Sequence, residues 1–113
     1  MAEQFLNYIG GQWVPARSGK TFPNHNPATG AHLGDFPDSS AEDVADAVAA
    51  ARAAMRAWQL TPAPKRGEML YRLGARIAER KETLARAATS EMGKILIETR
   101  GDVQEGVDMA YLA

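Results

Sequence analysis

The 113-residue sequence contains no cysteine. That absence excludes disulfides, thiolate metal ligands and a cysteine nucleophile within this chain. Aromatic residues are scarce at 7%, and no apolar run approaches the roughly 18 to 20 residues that span a bilayer. The first residues lack a basic stretch followed by an apolar one, so no secretory signal is read and the expected location is cytoplasmic. Neither sign of charge dominates, since 13 Lys and Arg stand against 14 Asp and Glu. No global field draws the chain to nucleic acid or to an anionic membrane. The length bounds the chain to one domain or part of one.

What is present changes character near residue 38. Glycine and proline punctuate residues 10–37, whereas residues 38–113 are rich in alanine and charge. The expected organisation is therefore a strand and turn segment over 1–37 and a helical segment over 38–113. Gly10-Gly11 between Asn7-Tyr8-Ile9 and Gln12-Trp13-Val14 reads as a two-residue hairpin loop, which sets Tyr8 opposite Trp13. Asn26-Pro27-Ala28-Thr29-Gly30 supplies a second turn, leading to a strand around His32 to Phe36. At most three short strands are expected, too few for a stable sheet by themselves.

Ser39-Ser40-Ala41-Glu42 has capping-box spacing and predicts a helix start. Val44, Ala47, Val48, Ala51, Met55 and Trp58 then recur at helical steps as one apolar stripe. Thr61-Pro62 opens the next helix, whose stripe is Met69, Leu70, Leu73 and Ile77. A third stretch carries Leu84, Ala88 and Met92 and stops at Gly93, a residue suited to a left-handed cap. A fourth runs from about Ile97 to the last residue, on the spacing of Val103, Val107 and Ala110. Helices over 40–58 and 62–92 are expected to pair through Val48, Met55 and Trp58 against Leu70, Leu73 and Ile77. Trp13 and Trp58 are read as large core anchors.

The constellations that carry chemistry mostly reduce to structure. Arg17-Ser18-Gly19-Lys20-Thr21 has the look of a phosphate loop, but Val14 occupies the place of its leading glycine and Phe22-Pro23 follows where a helix should start, so it reads as a polar turn. Gly-x-Gly-x-x-Gly does not occur, which removes the usual dinucleotide fingerprint. Arg72, Arg76 and Arg80 stack on one helical face beside Glu68, Glu79 and Glu82, a solvated face of mixed charge. His25 and His32 are the only histidines. They have no Cys, His or Glu at metal-ligand spacing and read as ordinary surface or packed histidines.

From about residue 5 to residue 113, the chain resembles the N-terminal part of the NAD(P)-dependent aldehyde dehydrogenase superfamily. The resemblance rests on Tyr8-Ile9-Gly10-Gly11-Gln12-Trp13, on Thr21-Phe22-Pro23-Asn24-His25-Asn26-Pro27-Ala28-Thr29-Gly30, on Glu42-Asp43-Val44 leading into Ala49-Ala50-Ala51-Arg52-Ala53-Ala54, and on Glu91-Met92-Gly93-Lys94. It implies an α/β parent fold. This chain would be an incomplete part of the cofactor-binding domain: a hairpin and strand segment followed by about four helices, mostly helical.

For the chemistry the resemblance implies mostly negatives. The family oxidises an aldehyde to a carboxylic acid through a cysteine thiolate, a hydride transfer to NAD or NADP, and hydrolysis of the thioester with a glutamate as base. None of those motifs matches a position here, so no catalytic and no cofactor-binding residue is carried over. One carry-over remains. Many members hold a structural sodium or potassium ion with two main-chain carbonyls before the Asn-Pro turn and a later carboxylate, positions that match Asn24, His25 and Asp102.

Two functional expectations follow. The first is an N-terminal fragment of an aldehyde dehydrogenase, ending inside an element, with no catalysis of its own and no cofactor alone. Its partners are the remainder of such an enzyme, or a second copy through exposed apolar faces, with no nucleic acid and no membrane. The alternative is an independent helical protein–protein interaction module.

Overall fold

Two hairpins precede four helices in the computed structural model, which describes residues 4–113. The strands are β1 (Asn7–Ile9), β2 (Gln12–Val14), β3 (Thr21–His25) and β4 (His32–Pro37), and the helices are α1 (Ala41–Leu60), α2 (Ala63–Glu79), α3 (Lys81–Met92) and α4 (Leu96–Leu112). β1 pairs antiparallel with β2, and β3 with β4, as two separate two-stranded sheets. The chain divides into two compact units. One holds residues up to His25 with Gly30–Leu60, and the other holds Asn26–Thr29 with Thr61–Ala113.

In the first unit, Gly10 and Gly11 adopt φ of 60° and 81°, the left-handed values that a two-residue hairpin loop demands. The register places Tyr8 opposite Trp13, with ring centroids 4.8 Å apart. β3 was not expected from the sequence. Pro23 argues against a central strand, but β3 pairs on only one side, where proline is tolerated. Phe22 faces Phe36 across the pair, and Phe36 in turn stacks on Phe5 at 4.4 Å.

The cap of α1 lies one residue later than the sequence spacing suggested. Asp43 accepts from the Ser40 backbone N–H at 2.7 Å and from its hydroxyl at 3.1 Å, while the Ser40 hydroxyl oxygen accepts from the Glu42 N–H. Ser39 instead accepts a hydrogen bond from the Asn7 side-chain amide at 2.8 Å. Asp is as able as Glu to close such a box when the cap moves by one position.

The second unit is built on α4, which packs against both α2 and α3. Within this unit the partner of α2 is α4, which the apolar spacing did not name. Gly74, the one buried residue of α2, lets α4 approach closely enough for Tyr111 to seat over it. Arg80 adopts φ −105° and ψ 11°, ending α2 and starting α3, so residues 62–92 hold the second and third helices that the sequence suggested. Ala85, Thr99 and Val107 are buried. Gly93 ends α3 with φ 76°, its N–H donating to the Thr89 carbonyl.

Large apolar side chains stay largely uncovered, in contrast to their expected role as core anchors. Trp13 is 67% exposed and Trp58 42%, and Val44, Val48 and Met55 of the α1 stripe are exposed as well. α1 packs on β1, a strand of three residues that is too short to cover a helix of 20. Among the described residues, no helix is long and apolar enough to cross a membrane.

Candidate functional site

The most connected polar cluster of the first unit ties the loop after β2 to the start of α1. Arg17 donates its backbone N–H to Asp43 at 2.9 Å, and its guanidinium grips Asp46 through two bonds of 2.6 and 2.8 Å. The hydrogen bond to Asp46 raises the Arg17 pKa. Asp43 is buried, and the backbone N–H groups of Ser40 and then Arg17 hold its carboxyl below the usual carboxylate range. Segment 17–21 is therefore a turn pinned to a helix: Gly19 N–H donates to the Ala16 carbonyl, and Lys20 N–H donates to the Ser18 hydroxyl. The turn leads into β3 and not into a helix. The polar-turn reading of this segment stands.

The expected cation positions fall in different units. Asn24 and His25 are adjacent at the end of β3, where the pairing with β4 shifts register. Asp102 lies on α4 in the second unit, where its carboxylate accepts a hydrogen bond of 2.5 Å from Lys94. That bond raises the Lys94 pKa.

The arginine face of α2 is occupied by its own carboxylates. Arg72 reaches Glu68 at 3.5 Å and Arg76 reaches Glu79 at 3.1 Å, both exposed. Pairs of this kind contribute little stability. On α3, Glu82 is bound by Arg100 from α4 and by Arg86, and the Arg100 hydrogen bonds depress its pKa most. Among the described residues every buried side-chain nitrogen and oxygen has a partner, and no group of three or more His, Asp or Glu is placed to hold a metal ion.

One juxtaposition was not legible from spacing. His25 and His32 are cross-strand partners with ring centroids 5.3 Å apart, and His32 Nε2 lies 3.0 Å from an Asp35 carboxylate oxygen. The signal available in sequence was that the two flank the Asn26–Gly30 turn, His25 one residue before it and His32 two after it. A regular ladder drawn through that turn, however, gives His25 a different partner.

The sequence profile of the aldehyde dehydrogenase family matches residues 13–113, and the chain belongs to that family. It is 46% identical over 107 residues to malonate-semialdehyde dehydrogenase 2 of Geobacillus kaustophilus (strain HTA426), a match covering 95% of this chain and 22% of the relative. The fold superposes with a TM-score of 0.91 on an NAD-dependent aldehyde dehydrogenase from Sinorhizobium meliloti, at 30% identity, covering 99% of this chain and 23% of that one. It superposes equally, at 0.91 and 29% identity, on an NADP-dependent glyceraldehyde-3-phosphate dehydrogenase from Bacillus halodurans C-125 complexed with NADP, covering 96% and 23%. The chain thus corresponds to an N-terminal piece of an aldehyde dehydrogenase and spans about 22% of the length of the curated relatives it matches. With the whole chain accounted for in this way, nothing supports an independent interaction module.

Proposed function

We propose that this chain, as one incomplete N-terminal domain, supplies the outer packing of the cofactor-binding domain of an aldehyde dehydrogenase and none of its reacting groups. The observation that carries the reading is a family match over residues 13–113 in a chain without cysteine. Oxidation of an aldehyde to a carboxylic acid belongs to the whole enzyme, which takes NAD or NADP as hydride acceptor and works in the cytoplasm. The relatives are named malonate-semialdehyde dehydrogenases, which favours a short acidic semialdehyde as the substrate of that enzyme.

The partner on this reading is the remainder of the enzyme, presenting a surface for the exposed apolar faces of the hairpin and α1. The carbonyls of Asn24 and His25 with the Asp102 carboxylate form part of a sodium or potassium site. Oxygen donors suit such a hard ion.

The test is nicotinamide reduction, followed at the absorbance of the reduced cofactor. The purified chain alone should give none with malonate semialdehyde or other aldehydes. Mixed with the complementary part of a malonate-semialdehyde dehydrogenase, it should restore turnover. Activity of the chain alone that persists through repeated purification would overturn the proposal.

A further inference from the structure

We propose that His25 and His32 form a two-imidazole site for a borderline divalent cation of the Zn2+ class, carried on the β3–β4 hairpin and oriented by Asp35. The hairpin is what creates the pair. Asn24 faces Gly34, so an unbroken register would place Leu33 opposite His25, but the pairing shifts and His32 takes that place. A bulge of this kind inserts one extra residue, here Leu33, and re-aims the side chains on either side of it.

The spacing of the rings suits one shared ion. A metal bound at about 2.0 Å from one nitrogen of each ring, with a tetrahedral angle between them, puts the two centroids about 5 Å apart. The observed separation is 5.3 Å, with the ring planes inclined by 50°. Asp35 supplies the second requirement. Its carboxylate lies 3.0 Å from His32 Nε2, so it accepts the proton there and leaves Nδ1 as the ligand nitrogen. This is the carboxylate–histidine arrangement that orients metal-bound imidazoles.

The site is open, since the His32 and Asp35 side chains are 36% and 38% exposed. No third His, Asp or Glu among the described residues completes it. Water fills the remaining positions, so binding is exchangeable. Neutral imidazoles select Zn2+, Cu2+ or Ni2+ over Mg2+ or Ca2+, which prefer oxygen. The atoms involved are side-chain nitrogens, distinct from the carbonyls discussed for sodium or potassium.

The experiment titrates the 113-residue chain with ZnCl2 by calorimetry, with MgCl2 as the control, and records the electron paramagnetic resonance spectrum with one equivalent of Cu2+. Zn2+ should bind with one-to-one stoichiometry and Mg2+ should not, and the Cu2+ spectrum should show coupling to two imidazole nitrogens. His25→Gln and His32→Gln should each abolish the Zn2+ heat. Asp35→Asn should weaken it about 10-fold, the cost of losing an orienting partner. No Zn2+ heat from the unchanged chain, or heat that survives both histidine substitutions, would overturn the proposal. The Cu2+ spectrum of the unchanged chain decides it even if a variant folds poorly, because fewer than two coupled nitrogens refutes the shared site.

Discussion

Tyr111 occupies the space into which any side chain at Gly74 would grow: a Cβ there would lie 2.6 Å from Tyr111 Cε1 and 2.9 Å from Cδ1. The contact joins α2 to α4, with Tyr71 and Tyr111 packed beside it at 4.7 Å between centroids. Two effects oppose each other at this position. Alanine is the better helix former by about 1 kcal/mol, whereas forcing a carbon into packed space costs about 1–3 kcal/mol. Here the steric effect wins, because the Tyr111 ring would have to leave its packing on Tyr71 to make room. Gly74→Ala should lower the urea midpoint. Gly67→Ala, with nothing within 4 Å of its Cβ, should raise it. A Gly74→Ala variant as stable as Gly67→Ala would show that α4 does not pack where Tyr111 places it.

Asp43 predicts an acid-sensitive start to α1. The Ser40 and Arg17 N–H groups stabilise the ionised carboxylate, so its folded pKa lies below its unfolded one. A depressed folded pKa contributes stability above the unfolded value, about 3.9 for Asp, and that contribution is lost as pH falls through the folded value. The same sign holds for Glu82 beside Arg100. Thermal midpoints from far-UV circular dichroism should therefore drop on acidification below the ordinary carboxylate range, and Asp43→Asn should flatten that drop while lowering stability at neutral pH. An identical acid profile for the variant would remove Asp43 from the account.

How much of this was legible in the sequence depends on whether the signal was local. The hairpin at Gly10-Gly11, the Tyr8–Trp13 pairing and the stop at Gly93 were all readable, because each rests on backbone conformations that only a few residues adopt. The four helices followed from apolar periodicity for the same reason. Partners were not readable. Periodicity says that a face is apolar but not what covers it, so α4 as the partner of α2 was not readable. β3 was masked by Pro23, whose meaning depends on whether the strand has one neighbour or two. The histidine pair escaped because a one-residue bulge decides which side chain faces His25. The positions Asn24, His25 and Asp102 came from family resemblance and not from any spacing rule.

Thr99 predicts a cost that area alone does not explain. It is fully buried, donates to the Leu96 carbonyl at 3.1 Å and accepts from the Thr89 hydroxyl at 2.8 Å. Thr99→Val keeps the shape but takes from the half-buried Thr89 hydroxyl its partner, a loss of about 0.5–1.5 kcal/mol. Combining it with Thr89→Val removes the stranded hydroxyl, so the double variant should be less destabilised than the sum of the two singles. Strict additivity in urea unfolding would mean that the two hydroxyls do not share a bond.

The last prediction concerns the face of α1 that its own unit leaves open. Val44, Val48 and Met55 follow one another at helical spacing and are 59%, 46% and 52% exposed, and Trp13 on β2 is more exposed still. Contiguous apolar surface above a few hundred Å2 is uncommon on a soluble monomer and drives association. The isolated chain should therefore bind a hydrophobic dye and scatter light increasingly with concentration. Val48→Glu with Met55→Glu should suppress both signals while leaving helix content intact, because neither side chain is packed in the core of the first unit and glutamate is tolerated in a helix. On the proposed reading, the complementary part of an aldehyde dehydrogenase should quench the dye signal by covering the same face, and it should fail to do so for the double variant. A dye-silent monomer at every concentration would mean that this face is already covered within the chain, and would remove the reason for a partner there.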